Sequence, residues 1–346
     1  MTRIALVSPY TLPFLCGNSF LAERLREGLT RRGYVVSLFN SGRDSPEKAV
    51  SFAPQVLHSL NAERPHQWVK EFLTKYPAPW VITLTGTDYN SWCGKEDPPP
   101  HIRENLEKAD ALVVFHEEAR SSLEECLPSV AGKLCVIPQG VAFSEIKRKV
   151  PELRRKLGFG ADDLVFLMVS SIRPVKNIEA ALRAFSEVEK EIPKVRLILI
   201  GPILDQEEGR RILELGRALR CFEYLGEKPQ SEVRKVMAAS DVFLNTSFNE
   251  GMPGAVLEAM AEGLPLLVSA TTGNSSLVTH GRNGLLFRIG EAEELIDAAI
   301  KLAGDARMRE EMGKIGKQMV AAHYAIEREL DGHERLYQDL LKKTHR

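Results

Sequence analysis

The sequence lacks both a charge excess and a long apolar run. Its 46 Lys and Arg residues nearly balance its 47 Asp and Glu residues, giving a formal net charge of −1, which argues against a nucleic-acid-binding protein. No apolar run approaches the length that spans a membrane. Ser8, Pro9 and Pro13 interrupt the apolar residues near the N-terminus, so this segment predicts a first strand rather than a signal peptide. We expect a cytoplasmic protein.

Cysteine is scarce, and its spacing indicates no pairing. The chain has five cysteines, and none forms a Cys-x-x-Cys pair. An odd number is typical of reduced thiols in the cytosol, and a free cysteine is most often a small core residue. The residues expected as free thiols are Cys16, Cys93, Cys126, Cys135 and Cys221.

The sequence also lacks the motifs of a metal site and of a dinucleotide site. It has no Asp-x-Asp and no cluster of His and Cys at ligand spacing, so a metal is not required. The opening strand, helix and strand resemble a dinucleotide fold without its Gly-x-Gly-x-x-Gly. Gly17 and Asn18 are where this backbone could approach a ligand, although a plain tight turn is the stronger interpretation.

Strand and helix patterns alternate along the chain, which predicts parallel sheets. A length of 346 residues favours two domains over a single core. The predicted class is therefore α/β, with two doubly wound, Rossmann-like domains facing a cleft. We place the first domain at residues 1–155, the second at 156–325 and a last helix, packing back on the first domain, at 326–346.

A basic cluster at residues 147–149 and 154–156 marks the predicted boundary between the domains. Such a cluster is compatible with weak contact to an anionic membrane surface. A solvated linker is the favoured interpretation, because charge runs usually lie in water.

Residues 247–263 hold a glycine-rich turn between an apolar strand and an apolar helix. Gly251 and Gly254 break the strand, Pro253 suits the first turn of a helix, and Gly263 ends that helix. Such a turn presents free backbone N–H groups and the positive end of a helix at the carboxyl edge of a sheet. The pattern therefore predicts a phosphate-binding site.

Two acids accompany this turn. Glu250 lies before the helix, and Glu258 lies within it among apolar neighbours. An unpaired buried charge is unfavourable, and carboxylates accept hydrogen bonds from paired hydroxyls. The two acids predict contacts to a sugar or ribose diol, while a capping acid and a structural acid remain the plainer alternative.

Two cations follow the first apolar strand of the second half, at Arg173 and Lys176. Loops after parallel strands gather at one edge of a sheet, so we expect these cations near Glu250. Together with a helix N-terminus they would hold a diphosphate without a metal and stabilise its charge as it departs. Taken alone, each would be an ordinary surface cation.

Three polar residues follow predicted strands of the first half, namely Thr85, Asp88 and His116. The carboxyl ends of strands are where α/β folds bind ligands. Asp88 is also a good turn residue, and His116 can cap the following helix, so their roles are left open.

These motifs together resemble the glycosyl transferases group 1 family, which consists of retaining enzymes of GT-B fold. The resemblance covers most of residues 160–325. The first half is similar, more loosely, to glycosyltransferase-1-domain-containing proteins and more distantly to selenosugar synthases. The matching segments are 170–177, 225–227, 240–247, 250–253, 258–261 and 281–287, with 17–18 and 85–88 in the first half.

The resemblance implies a role for each matching residue. Arg173 and Lys176 would hold the donor diphosphate, Glu250 would contact the transferred sugar, and Glu258 would bind the ribose diol. Many members carry a histidine where Thr85 or Gly86 stands here, so Asp88, Thr85 and His116 are the candidates for a replacement contact to sugar or acceptor. The rest of the implied donor-binding set is Gly251, Met252, Pro253, Gly17, Asn18, Gly201 and Leu225.

The resemblance thus implies a retaining, metal-independent hexosyltransferase with a UDP- or GDP-linked donor and no other cofactor. The acceptor would be a small molecule, a glycan or a lipid-linked compound. Two alternatives stay open: a GT-B-fold nucleotide-sugar epimerase or hydrolase, and a non-catalytic protein that binds a nucleotide sugar. The oligomeric state is left open.

Overall fold

The computed structural model describes residues 1–14, 16–143 and 151–344. It divides into two compact units, one formed by Met1–Gly140 with Ile326–Arg346 and the other by Val141–Ala325. The first boundary therefore falls between Gly140 and Val141, whereas the sequence predicted it after residue 155. Within the described ranges, no helix has both the length and the apolar character that a membrane crossing requires.

The first unit contains a six-stranded sheet. Its strands are β1 (Arg3–Ser8), β2 (Val35–Asn40), β3 (Val56–Leu60), β4 (Trp80–Thr83), β5 (Ala111–Val114) and β6 (Leu134–Val136). All neighbours are parallel, in the order β2-β1-β3-β4-β5-β6. The strands' carboxyl ends consequently share one edge, which carries the loops that were predicted to bind ligands.

Five helices of the first unit connect these strands: α1 (Gly17–Arg31), α2 (Pro46–Phe52), α3 (His66–Lys75), α4 (Pro100–Lys108) and α5 (Glu117–Cys126). In α1, the four-residue spacing of Leu21, Leu25 and Leu29 places all three in the core. This spacing is typical of an amphipathic helix that turns one face to the core.

Strand β3 was not predicted from the sequence, because polar residues interrupt its apolar pattern. His58 and Ser59 are nevertheless fully buried. The Trp80 indole N–H donates to Ser59 Oγ over 3.0 Å, and His58 Nε2 lies 2.7 Å from Thr83 Oγ1. Buried polar groups with such partners are tolerated inside a sheet, so a strand can form without a continuous apolar run.

The second unit repeats the design with another parallel sheet. Its strands are β7 (Leu164–Val169), β8 (Val195–Ile200), β9 (Phe222–Tyr224), β10 (Val242–Asn245), β11 (Leu266–Ser269) and β12 (Gly284–Phe287). Their order is β12-β11-β10-β7-β8-β9. The helices are α6 (Pro151–Lys156), α7 (Ile178–Glu191), α8 (Gln206–Arg217), α9 (Gln230–Ala239), α10 (Gly254–Glu262), α11 (Thr272–Ser275), α12 (Ala292–Gly304) and α13 (Ala306–His323).

Helix α6 corrects the interpretation of the basic cluster as a solvated linker. Arg154 is buried, and its guanidinium donates to Asp241 Oδ2 over 3.1 Å and to the Ala239 carbonyl over 2.8 Å. Arg155 and Lys156 are exposed to solvent, whereas residues 147–149 lie outside the described part of the chain. One member of the cluster thus anchors α6 to the second unit.

The last helix, α14 (Ile326–Thr344), belongs to the first unit. Its Glu329 pairs with Arg24 of α1 at 2.9 Å, and its fully buried Tyr337 hydroxyl lies 2.6 Å from His58 Nδ1. A Cβ at Gly28 would lie 2.7 Å from Leu330, so the absence of a side chain there lets α14 approach α1.

The expectation of five free thiols was wrong for two cysteines. Cys93 and Cys126 form a disulfide that links the segment after β4 to the end of α5, with Cα atoms 5.7 Å apart. Their separation of 33 residues carried no pairing signal in the sequence. Cys16, Cys135 and Cys221 are free.

Candidate active site

Three neighbouring strands of the second unit, β11, β10 and β7, end at one edge of the sheet. The segments that follow them are 270–271, 246–253 and 170–177. Each continues into a helix, so the edge collects backbone turns and helix N-termini from three strand–helix units. This is the place at which parallel α/β sheets bind ligands.

Arg173 and Lys176 lie in the segment after β7, where Pro174–Lys176 form a 3-10 turn. The Lys176 side chain is only 15% exposed. Arg173 is half-buried, and its Nε is buried with no hydrogen-bond partner among the described residues. Buried donors without a partner are rare in folded proteins. A bound anion would supply the acceptor that Arg173 lacks.

Glu250 lies beside these cations in the segment after β10, with a side chain only 9% exposed. Its Oε1 accepts hydrogen bonds from Lys176 Nζ at 2.7 Å, Ser247 Oγ at 2.6 Å and Asn245 Nδ2 at 3.1 Å. The structure therefore brings Lys176 and Glu250 together, as expected from the sequence, but as a direct ion pair.

These contacts hold Glu250 in its ionised form. Burial raises the pKa of the carboxyl, but the Lys176 charge and the hydrogen bonds from Lys176, Ser247 and Asn245 outweigh it and leave the pKa below its usual value. A carboxylate of this kind is a weak general base near neutral pH. Its chemistry is that of a fixed negative charge and a hydrogen-bond acceptor.

Two buried amides that were not predicted as members of the site support Glu250. Asn245 Oδ1 accepts from the Ser247 N–H at 3.1 Å and from Asn274 Nδ2 at 3.2 Å. Asn274 is fully buried, and its Nδ2 also donates to the Ser269 carbonyl over 2.8 Å. The signal that could have found Asn245 and Ser247 is a polar run directly after an apolar strand.

One side chain and one backbone N–H join the segments that carry Lys176 and Glu250. The Thr246 hydroxyl lies 3.1 Å from the Lys176 carbonyl and 2.9 Å from that of Asn177. The Phe248 N–H donates to the Val175 carbonyl over 2.9 Å. These bonds fix the two segments relative to each other and so define the position of the ion pair.

Helix α10 begins beside Glu250 with Pro253 at its N-cap position. Its first turn contains no acidic side chain, so no carboxylate there competes with an anion for the positive end of the helix. Gly273 packs against the preceding turn, where a Cβ would lie 2.5 Å from the Gly251 carbonyl oxygen and 2.6 Å from that of Glu250. The turn at Gly251, Met252 and Pro253 is buried.

Glu258 lies in α10, one turn into the helix, and is half-buried. Its neighbours Leu257 and Ala259 are buried. The acid therefore lies at the border of the apolar face, a position that fits both a ribose contact and a structural acid.

Gly201 and Leu225 follow β8 and β9, on the other side of β7 from Glu250. A Cβ at Gly201 would lie 2.0 Å from the Ser170 carbonyl oxygen, so only glycine fits beside the segment after β7. The Leu225 N–H donates to the Leu199 carbonyl over 2.9 Å, and its side chain is half-buried. Gly201 shapes the site through its backbone.

In the first unit, Asp88 acts as a turn residue, one of the two interpretations left open. It is fully buried and accepts from the backbone N–H groups of Ala62 at 2.8 Å and of Thr85 and Gly86 at 2.9 Å each. Burial raises its pKa to about 6, and these bonds oppose the rise. With its carboxylate committed to backbone, Asp88 is a poor replacement for a sugar-binding histidine.

Thr85 and His116 follow β4 and β5 at the same edge of the first sheet. Thr85 is half-buried and accepts from Asn61 Nδ2 at 3.2 Å. His116 occupies the N-cap of α5, where its Nδ1 accepts from the Ala119 N–H at 3.1 Å. His116 is therefore tied to its helix as a cap.

Gly17 and Asn18 form the first residues of α1. Gly17 is exposed, and a Cβ at this position would have no heavy atom of the described residues within 4 Å. The helix begins at Gly17, because Cys16 is its N-cap and Ser19 Oγ accepts from the Cys16 N–H at 3.0 Å. The space beside Gly17 would admit a ligand, and the ligand approach itself stays a prediction.

The side chains that commonly bind metals are those of Asp, Glu, His and Cys. Among the residues that the structure describes, no group of three or more of them is arranged to hold a metal ion.

Comparison with known proteins links this geometry to one enzyme family. The family model described as "Glycosyl transferases group 1" matches residues 149–319. The chain is 27% identical over 268 residues to N-acetyl-alpha-D-glucosaminyl L-malate synthase from Bacillus anthracis, covering 76% of this chain and 68% of that protein. It is 25% identical over 333 residues to glycosyltransferase 1 domain-containing protein 1 from Xenopus tropicalis, covering 94% of each.

Solved structures show the same fold. Sucrose-phosphate synthase from Thermosynechococcus elongatus matches with a TM-score of 0.84 at 20% identity, covering 99% of this chain and 100% of that one. Anabaena HepE in complex with UDP-glucose matches with a TM-score of 0.82 at 17% identity, covering 98% and 100%. The predicted α/β class with two parallel, Rossmann-like sheets of GT-B type is confirmed.

Proposed function

Because this chain belongs to the glycosyl transferases group 1 family, we propose that it is a retaining, metal-independent hexosyltransferase with a UDP-linked donor. The observation that carries the proposal is the edge formed by Arg173, Lys176, Glu250 and the N-terminus of α10. The preference for UDP over GDP rests on relatives, since Anabaena HepE is bound to UDP-glucose and an Escherichia coli relative is named a UDP-Gal transferase.

The donor diphosphate would lie between Arg173 and the first turn of α10. Arg173 offers a buried N–H that has no acceptor among the described residues, and the helix offers its positive end with no acid in its first turn. Charge-assisted hydrogen bonds contribute roughly 1.5–3 kcal/mol each. Arg173 and the N-terminus of α10 would together bind a diphosphate without a metal ion and stabilise the negative charge of the leaving group.

Glu250 would bind the transferred sugar, and Glu258 the ribose diol. Lys176, Ser247 and Asn245 all bond to Oε1 of Glu250, so its Oε2 is the oxygen to accept from sugar hydroxyls. Because its pKa is low, Glu250 stays ionised and favours the oxocarbenium-like transition state by its charge. Glu258, half-buried in α10, would grip the nucleoside instead of the reacting sugar.

Retention follows from departure and attack on the same face of the sugar. The bond from the anomeric carbon to the diphosphate oxygen breaks, and the acceptor oxygen forms a new bond to that carbon. The acceptor's proton passes to the departing diphosphate oxygen. A weakly basic Glu250 suits this route, since the leaving group itself serves as the base.

The test is calorimetric titration with UDP-glucose, UDP-N-acetylglucosamine, GDP-mannose and ADP-glucose, followed by product analysis. We expect a UDP-sugar to bind most tightly and the glycoside formed from it to keep the α configuration by NMR. A β-linked product would overturn retention. Free or epimerised sugar without a glycoside would favour a hydrolase or epimerase, and failure of every nucleotide sugar to bind would overturn the proposal.

A further inference from the structure

The hydrogen bonds around Glu250 are unequal on its two carboxylate oxygens. The three donors Lys176, Ser247 and Asn245 all reach Oε1. An ionised carboxylate oxygen has two lone pairs, so three donors leave it no capacity for a further ligand. The rotation of the carboxyl group, and with it the direction of Oε2, depends on these three donors staying in place.

The Asn245 amide can serve as a donor in only one orientation. Its Nδ2 donates to Glu250, while its Oδ1 accepts from the Ser247 N–H and from Asn274 Nδ2. If the amide turned over, its NH₂ group would face two other donors and its carbonyl would face the Glu250 carboxylate. The orientation of Asn245 is thus held by two donors, the Ser247 backbone N–H and the Asn274 amide.

Asn274 is oriented in turn by the backbone of β11. Its Nδ2 donates to the Ser269 carbonyl over 2.8 Å, and a carbonyl can only accept. The Asn274 side chain is fully buried, and its Oδ1 has no hydrogen-bond partner in the described part of the chain. A buried acceptor without a partner is unfavourable. The Asn274 amide therefore keeps an orientation in which its NH₂ group has acceptors while its Oδ1 has no donor.

We propose that Asn274 and Asn245 form an amide relay from the backbone of β11 to Glu250, and that this relay sets the working direction of Glu250 Oε2. Both asparagines are positioning residues, because they act through Glu250 and not on the substrate. The inference rests on the proposed function for its kinetic consequence, whereas the relay itself is a property of the protein alone. Among the residues that the structure describes, the charged group that pairs with Glu250 is Lys176.

The isosteric variant Asn274→Asp tests the relay through its pH dependence. While the introduced carboxyl is protonated, its single O–H can replace one of the two amide donations, the one to Asn245 Oδ1, and the Ser269 carbonyl then loses its donor. Once ionised, the carboxylate has no donor and attracts the Asn245 NH₂ group instead, so only the Ser247 N–H still holds the original orientation. We expect the Asn245 amide then to turn over and to present its carbonyl to Glu250. We expect kcat to fall by on the order of tenfold to a hundredfold at pH 8, as misplaced catalytic groups commonly cause, and to recover towards the wild-type value as the pH is lowered to 5.5.

Asn283→Asp is the matched control. Asn283 is also fully buried in the second unit, but its side chain donates to the Leu277 carbonyl over 2.9 Å and accepts from the Thr279 N–H over 2.8 Å. The same chemical change is thus made where the hydrogen bonds lead to backbone and not to Asn245. With rates corrected for the folded fraction, its kcat relative to wild type should not vary with pH. UDP affinity should change less than about threefold in both variants, because the relay touches the sugar end of the site.

Equal pH profiles for Asn274→Asp and Asn283→Asp would overturn the relay. If Asn274→Asp does not fold, Asn245→Ala removes the last member of the relay, and it should lower kcat while leaving UDP affinity intact. A crystal structure of the variant at pH 8 gives a reading that needs no activity: an unmoved Glu250 carboxylate contradicts the relay. Absence of UDP-sugar binding by the wild-type protein would instead contradict the proposed function.

Discussion

Lys176 Nζ lies 2.7 Å from Glu250 Oε1, and both side chains are largely buried. The pair joins two residues for which the sequence predicted separate tasks, phosphate binding for the lysine and sugar binding for the glutamate. Lys176 consequently keeps Glu250 ionised as well as adding positive charge to the site. Arg173, whose Nε is without a partner among the described residues, is the cation more fully available to the diphosphate.

Loss of either cation should slow turnover, but only loss of Lys176 should also destabilise the fold. Arg173→Ala and Lys176→Ala each remove charge from the leaving-group site, which typically lowers kcat on the order of a hundredfold or more. Lys176→Ala also leaves Glu250 buried without its countercharge, so we expect unfolding in urea to become easier by about 3 kcal/mol.

The double variant Lys176→Ala/Glu250→Gln should recover that stability without recovering activity. Arg183→Ala is the surface control, since its side chain is 70% exposed and pairs with Glu179 of the same helix. Unchanged kinetics and UDP affinity in both single variants would place Arg173 and Lys176 outside the site.

The two glutamates should separate binding from catalysis. A ribose contact is equally present in the ground and transition states, so Glu258→Gln should raise KM more than it lowers kcat. Glu250→Gln should lower kcat strongly and leave UDP affinity nearly unchanged. Steady-state kinetics and UDP calorimetry on both variants check this, and the opposite pattern would mean that the roles are reversed.

Activity should survive a chelator. The proposed diphosphate site consists of Arg173, Lys176 and the N-terminus of α10, so we expect the initial rate after dialysis against EDTA to equal the untreated rate. The measurement is repeated with added magnesium or manganese. A rate that disappears with EDTA and returns with either ion would show that the phosphate charge is balanced by a metal.

The buried histidines of the first unit should make the protein less stable in mild acid. Burial lowers the pKa of His333 to about 4, with Glu329 opposing and Arg24 assisting, and the pKa of His58 also lies well below 6.5. The unfolded chain binds these protons first. Stability should therefore fall as the pH drops from about 6.5 to about 4, by up to about 1.4 kcal/mol per pH unit for each histidine.

His333→Gln should flatten this fall relative to wild type in urea unfolding at pH 7, 6 and 5. His101→Gln serves as the control, because His101 belongs to α4 and is half-buried. Parallel curves for wild type and His333→Gln would contradict the assignment.

The disulfide should stabilise the first unit. Cys93 and Cys126 close a loop with a sequence separation of 33, for which chain entropy gives about 3–4 kcal/mol. Cys126→Ser should lower the free energy of unfolding by up to this amount and abolish the response to reductant. Cys135→Ser, at a free and half-buried cysteine, should do neither. Complete alkylation of Cys93 in the unreduced native protein would show that the bond is absent.

The sequence predicted the parts of the site whose chemistry is local. A strand, a glycine turn and a helix place Gly251, Pro253 and Glu250 by their own backbone preferences, and the cations after β7 follow from the rule that parallel strands end at one edge. The sequence did not predict Asn245 and Asn274 as site residues, because a single buried amide leaves no periodic pattern. Its role depends on the residue to which it hydrogen-bonds in the fold.

Other errors have the same origin in long-range contacts. Strand β3 was not identified, since His58 and Ser59 look like loop residues until Thr83 and Trp80 provide their partners. Arg154 looked like a solvated charge until Asp241, 87 positions away, neutralised it. Asp88 fitted both a ligand contact and a turn, and only the three N–H groups around it distinguish the two.

The hydrogen bonds between the segments after β7 and β10 have a mechanical consequence. Because Thr246 and Phe248 bond to carbonyls of Lys176, Asn177 and Val175, a displacement of one segment carries the other with it. The Lys176–Glu250 ion pair then moves together with both segments, and the distance between its two charged groups stays constant. Any motion that admits or releases the nucleotide sugar must therefore move both segments together, or break these hydrogen bonds first.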